Sequence, residues 1–157
     1  MAKAAPELEF PFFDKAALRT ALGRAFHGLF LAKEAQVKEL KSAFLAHLAP
    51  EQVAWLDELA PQAISWRDDK KMKLLYAENS VEAKEINPPE IQVKLHESFF
   101  LTEHPMICEG KVPVKIWLTS PDGKRIQSTT NWPEFRAKEY PKLKSNLQKK
   151  FPGFTWL

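Results

Sequence analysis

A single cysteine, Cys108, stands in the 157 residues, so no internal disulfide can staple this chain. A single thiol suits the reducing cytosol, and a cytoplasmic location is the expectation. Glycine is scarce at five residues, and none sits in a Gly-x-x-x-x-Gly-Lys-Ser/Thr or Gly-x-Gly-x-x-Gly pattern. Both patterns wrap backbone N–H groups around phosphates, so this sequence holds no nucleotide cradle. No apolar run reaches the length a membrane span needs, and the N-terminus lacks the basic, apolar, small-residue order of a secretion signal. His96, His104 and Cys108 match no standard zinc-ligand spacing, and a fourth ligand is missing. His27 and His47 fall on helical patterns, where packed or surface roles outweigh catalysis. No serine lies in a nucleophile elbow. The sequence therefore offers no catalytic residue, no cofactor-binding residue and no metal ligand.

What is present is a core and a charge gradient. Apolar residues make up 45% and aromatics 11%, enough to pack an interior. Residues 1–110 carry 13 Lys/Arg against 17 Asp/Glu, a net of −4, while residues 111–157 carry 10 against 3, a net of +7. The basic third is either a solvated helix face or a surface for phosphates or an acidic partner.

The first 60 residues read as helices. Pro6 and Pro11 with Phe10, Phe12 and Phe13 predict an extended start pinned by its phenylalanines. Asp14 can cap a helix with Leu18, Leu22, Phe26 and Phe30 on one stripe, broken near Gly28. Val37, Leu40, Phe44, Leu45 and Leu48 predict a second helix. Pro50 ends it or opens a third, carrying Val53, Leu56 and Leu59 and stopping by Pro61.

Beyond Pro61 the pattern changes to strands. Lys71 to Tyr76, a turn at Ala77–Ser80 and Val81 to Ile86 predict a hairpin. Pro88-Pro89 predicts a helix start, with Ile91, Val93, Leu95, Phe99 and Phe100 as its apolar positions, and Thr102 to Gly110 reads as a loop. Val112, Val114, Ile116 and Leu118 alternate along a strand that ends at Thr119. Ser120-Pro-Asp-Gly is a turn signature, and Arg125 to Thr130 returns as the partner. Asn131 and Glu134 form a capping box, Pro141 restarts the helix, and Leu143, Leu147 and Phe151 give it an apolar stripe. The expected fold is α+β, a small antiparallel sheet of two hairpins packed with helices after an N-terminal helical segment, with domains 1–62 and 63–157.

Arg136, Lys138, Lys142, Lys144, Lys149 and Lys150 decorate the last helical stretches, with Tyr140, Phe151, Phe154 and Trp156 between them. Cations for phosphates and rings for bases are a recipe for single-stranded nucleic acid. Phe151 continues the apolar stripe and belongs to the core. Phe154 and Trp156 are the candidate anchors or stacking platforms, with burial against the sheet an equal alternative.

From Pro88 onward the chain resembles the C-terminal domain of the bacterial ATP-dependent RNA helicase HrpB family, of the DEAH-box type. The resemblance rests on Pro88-Pro89, Val93, Leu95, Glu97, Phe99, Leu101, Glu103 and Pro105. It continues through Gly110-x-Val112-Pro113-Val114, Leu118-x-Ser120-Pro121-x-Gly123, Gln127-x-Thr129, Phe135, Tyr140, Leu147, Phe151-Pro152 and Trp156. Arg136 and Phe100 depart from the family pattern, which has Trp and Gly there. The resemblance implies an accessory domain without its own ATP-binding or DEAH motifs, ATP and Mg being used by the parent's core. It implies partners in a helicase core, of the same or a partner chain, and in single-stranded RNA, with no membrane. The alternative role is a protein-interaction module, for which Phe10, Phe12, Phe13, Trp117 and Trp156 supply aromatic surface.

Overall fold

The computed structural model describes residues 4–11, 14–27, 37–67, 70–76 and 87–157. The chain forms two compact units, Met1–Pro61 with Asn79–Ile86, and Gln62–Glu78 with Asn87–Leu157.

The first unit is helical. Asp14 accepts the Ala17 N–H at 2.8 Å and starts α1, Lys15–Ala25. The segment α2 spans Val37–Leu45 and packs against α1. Pro50 opens α3, Pro50–Leu59, where its missing N–H costs nothing. Gln52 holds both ends of this region: its Oε1 accepts the Ala49 N–H at 3.0 Å. Its Nε2 donates to the carbonyls of Leu8 and Glu9, each at 3.0 Å. The expected extended start therefore contains a short 3₁₀ turn at Pro6–Leu8, with Phe10 buried and Phe12 and Phe13 outside the described residues. The apolar stripe of α1 differs from the expectation. Ala21 is fully buried, while Leu18 and Leu22 are 37% and 38% exposed. The break near Gly28 and the position of Phe30 lie outside the described residues.

The second unit begins with β1, Ala63–Ser65, antiparallel to β2, Lys71–Lys73, in the register Ile64 opposite Met72. The Trp66 N–H donates to the Lys70 carbonyl at 2.7 Å between these strands, and the turn expected at Ala77–Ser80 lies outside the described residues. The strand expected over Val81–Ile86 lies outside the described residues.

The larger sheet has the order β3-β6-β7, with β3 at Glu90–Lys94, β6 at Lys115–Thr119 and β7 at Arg125–Thr129. The helix expected after Pro88-Pro89 is instead β3. Ile91 and Val93 alternate with exposed Gln92 and Lys94, a period of two, and prolines are compatible with an extended entry. A 3₁₀ turn at Leu95–Glu97 follows the strand. β3 runs parallel to β6, so the sheet is mixed, and only β6 and β7 form an antiparallel hairpin within it. The loop expected at Thr102–Gly110 holds a two-residue strand β4, Met106–Ile107, paired with β5, Val112–Pro113. Glu109 and Gly110 turn this pair at positive φ of 54° and 80°.

The expected alternation along 112–119 is present. Val112, Val114, Ile116 and Leu118 are buried. The Ser120–Gly123 turn is closed by the Gly123 N–H on the Ser120 carbonyl at 2.9 Å, with Gly123 at φ +83°. After β7, residues 132–150 wind continuously as α4 (Trp132–Glu134), a π-helical turn (Phe135–Glu139) and α5 (Tyr140–Lys150). The π turn lies immediately before Pro141. In an α-helix the proline would leave one carbonyl unbonded and press its ring on the residue four back. The Tyr140 N–H bonds the Phe135 carbonyl, five residues back.

Aromatic rings fill the space between sheet and helix. Trp132 is fully buried, stacks on Phe135 at 5.6 Å and donates its indole N–H to the Leu101 carbonyl at 2.8 Å. Phe99 meets Tyr140 edge-on at 4.9 Å.

Candidate nucleic-acid interface

The helix carrying the basic residues is fixed at both ends. At its start the Glu134 N–H donates to Asn131 Oδ1 at 3.2 Å. The expected capping box is half formed. The Asn131 N–H is taken by Thr129 Oγ1 at 3.0 Å, so the Glu134 carboxylate instead accepts from Asn131 Nδ2 at 3.3 Å. At its end the Phe151 N–H bonds the Leu147 carbonyl at 2.8 Å.

Of the six cations, two are engaged. Lys138 lies 2.8 Å from Glu134 and Lys142 lies 2.9 Å from Glu139. The Lys138 hydrogen bond and charge hold the Glu134 carboxyl below its usual range, and Glu134 in turn raises the Lys138 ammonium. Among the described residues Arg136, Lys144, Lys149 and Lys150 make no close ion pair with a carboxylate, although the Lys150 charge acts on the Asp122 carboxyl and helps hold it low. Lys150 sits 5.5 Å from the centre of the Phe151 ring.

The six do not share one face. Lys142 and Lys149 are seven residues apart on α5 and point the same way, opposite the buried Tyr140 and Leu147. Lys144 lies about 200° around the helix from Lys142 and is half-buried beside the apolar stripe. A strand of phosphates would therefore wrap the helix rather than lie along one ridge.

The two candidate rings separate. Trp156 is buried and donates its indole N–H to the Phe151 carbonyl at 3.1 Å, so it anchors the tail within its own unit. Phe154 is 41% exposed. It packs against His96, with ring centres 4.6 Å apart. Phe151, expected in the core, is half-buried. Burial and the nearby Lys94 charge push the His96 imidazole below its ordinary value, against the pull of Glu97. The His96 and Phe154 rings are tilted by 56° to each other.

Sequence reasoning missed a cluster on the outer face of the sheet. The Trp117 indole N–H donates to Glu90 Oε2 at 2.8 Å, and Lys115 pairs with Glu90 Oε1 at 3.1 Å. Lys115 and Arg125 lie 5.0 and 4.5 Å from the Trp117 ring centre. Burial pushes the Glu90 carboxyl up, but bonds from Lys115 and Trp117 and the Lys115 and Arg125 charges outweigh it and hold it low. The spacing of Lys115 and Trp117, two apart on one strand face, was a readable signal. Glu90 joins them only through the parallel register, which a local pattern does not carry. This cluster is internally satisfied and ties the three strands together.

Among the described residues no group of three or more His, Cys, Asp or Glu could hold a metal ion. Nor is any described helix long and apolar enough to cross a membrane.

Comparison with known proteins bears on the family and the fold. Residues 22–157 match the family HrpB_C, described as ATP-dependent helicase C-terminal. The ATP-dependent RNA helicase HrpB of Escherichia coli (strain K12) is 27% identical over 77 residues, which is 49% of this chain and 10% of that protein. The crystal structure of the E. coli DExH-box NTPase HrpB superposes with a TM-score of 0.79 at 24% identity, over 99% of this chain and 19% of that one. A second crystal structure, of the Escherichia coli DEAH/RHA helicase HrpB, gives a TM-score of 0.65 at 23% identity with the same coverage. The chain thus spans a small part of the length of its relatives, and both structural likenesses speak to fold. The family match covers most of the residues and both compact units, and on it the chain belongs to the HrpB family of ATP-dependent helicase C-terminal domains.

Proposed function

We propose that this chain is the accessory C-terminal part of an ATP-dependent HrpB-like helicase and that it helps hold single-stranded RNA. It performs no chemistry itself. ATP and Mg are used by a helicase core, in the same or a partner chain, and the setting is cytoplasmic. The observation that carries the reading is the set of four cations, Arg136, Lys144, Lys149 and Lys150, that form no close carboxylate ion pair among the described residues and lie close in sequence to the exposed Phe154. Cations not held in close carboxylate pairs can exchange their counterions for phosphates, and an exposed ring can stack a base.

Labelled single-stranded RNA titrated with the chain tests this. Binding at low salt that is lost when Arg136, Lys144, Lys149 and Lys150 are all changed to Glu supports the reading. Unchanged binding refutes it.

A second reading is docking on a helicase core. It is favoured by the exposure of Leu18, Leu22 and Trp55, at 37%, 38% and 37%, in the first unit. A pull-down with a helicase core that fails on substitution of these three, and not of the cations, would select it.

A further inference from the structure

The segment that leaves α5 folds back and lays two rings against one histidine. Phe151 caps the helix, and the Phe154 N–H bonds the Phe151 carbonyl at 3.3 Å. The Trp156 indole N–H donates to the same carbonyl at 3.1 Å, so both bonds are internal to this end of the chain. Beyond Phe151, the ring contacts of Phe154 and Trp156 among the described residues are both with His96, at 4.6 and 6.2 Å. Trp156 is buried there, and lifting it would bare a large apolar ring.

The anchor beneath these rings can take a proton. The His96 side chain is 17% exposed, and its Nδ1 is buried with no hydrogen-bond partner among the described residues. Nε2 faces the Glu97 carboxylate at 3.7 Å, so the neutral ring keeps its hydrogen there and leaves a bare lone pair on Nδ1. A proton added at Nδ1 would make a buried donor without an acceptor, on a ring that then carries charge. Burial opposes that charge most, Glu97 of the same turn favours it, and Lys94 at the end of β3 opposes it. From the segment the facing groups are the uncharged rings of Phe154 and Trp156.

We propose that residues 152–157 form a latch over His96 that a proton opens. With the imidazole neutral, Trp156 and Phe154 close over it. With Nδ1 protonated, the segment lifts and water accepts from the new N–H. The closed form binds the proton less readily than the open one. Closure is therefore favoured above about pH 6.5 and is lost as pH falls toward the value that the closed ring holds. Within that window opening gains up to about tenfold for each pH unit, because one proton is taken up. The latch needs no nucleic acid, so it stands or falls independently of RNA binding.

The test is an NMR titration of the whole chain between about pH 7.5 and 5, following the His96 ring and the indole N–H groups of Trp156 and Trp132. The expected result is that the Trp156 indole and the amides of residues 154–157 lose protection from solvent exchange in step with His96. The Trp132 indole, bonded to the Leu101 carbonyl, should keep its protection over the same range. His96→Phe leaves a ring under the segment without a titrating nitrogen, and should hold the latch closed throughout. If that variant fails to fold, two exposed charges take its place. Glu97→Gln removes the charge that favours the proton and should move opening to lower pH, and Lys94→Gln should move it higher. Loss of both indole signals together overturns the proposal, since the whole unit is then unfolding. So does a Trp156 indole that stays protected while His96 titrates, unchanged release in His96→Phe, or a midpoint that neither charge variant moves.

Discussion

The backbone N–H of Trp132 donates to Nδ1 of His104 at 3.1 Å, while Nε2 of the same ring lies 2.7 Å from the Val114 carbonyl. With Nδ1 accepting, Nε2 must carry the hydrogen and donate to Val114. One neutral imidazole thereby joins the start of the helix to the entry of β6.

That arrangement predicts a pH dependence. Burial pushes the His104 imidazole below its ordinary value, more than the Val114 bond raises it. A protonated Nδ1 would confront the Trp132 N–H. The unfolded chain then binds the proton more readily than the folded one, so stability rises with pH through this window. The contribution is complete above about pH 6.5 and is lost as pH falls toward the folded value. Denaturant melts between about pH 7 and 5 should weaken with acid, and His104→Gln should flatten the trend. His96, also held low, adds to the same slope.

Trp132 should be the costliest residue to truncate. It is fully buried against Phe135 and Phe99. Trp132→Ala should destabilise by about 3–5 kcal/mol in urea titration. Trp132→Phe keeps most of the ring but orphans the Leu101 carbonyl, and should cost about 1–3 kcal/mol.

The helix cap is a smaller, local effect. Asn131→Ala removes the bond to the Glu134 N–H and should cost about 1 kcal/mol in thermal melts. Asn131→Asp keeps the acceptor and places a negative charge at a helix start, so most of the stability should remain.

How much of this was legible in the sequence follows from how local each signal is. The β6 strand, its Ser-Pro-Asp-Gly turn, β7 and the Asn131 cap were legible because period-two alternation, turn chemistry and capping act within a few residues. The helix expected at Pro88 failed because Ile91, Leu95 and Phe99 fit a four-residue spacing, while Ile91, Val93 and Leu95 fit a two-residue one. Only the distant partner β6 decides between them. The cations were legible as charge. Their division into paired and unpaired was available in the spacings Glu134 to Lys138 and Glu139 to Lys142. That Trp156 would be buried and Phe154 exposed depended on His96, some sixty positions earlier, and no local pattern carries that.

The division among the cations gives the proposed RNA contact a second test, one that distinguishes specific phosphate contacts from a general charge effect. Changing Lys138 and Lys142 to Ala should alter RNA affinity less than changing Lys144 and Lys149 to Ala, because the first two are tied to Glu134 and Glu139. Equal losses from both pairs in parallel titrations would mean that net charge alone attracts RNA.

The salt dependence of single-stranded RNA binding bears most directly on the central claim. Four phosphate contacts, one each for Arg136, Lys144, Lys149 and Lys150, predict that affinity falls roughly 50-fold between about 50 and 200 mM salt. In the variant with all four changed to Glu that dependence should disappear together with the binding. No binding at about 50 mM salt, or a salt slope that the variant leaves intact, would contradict the claim.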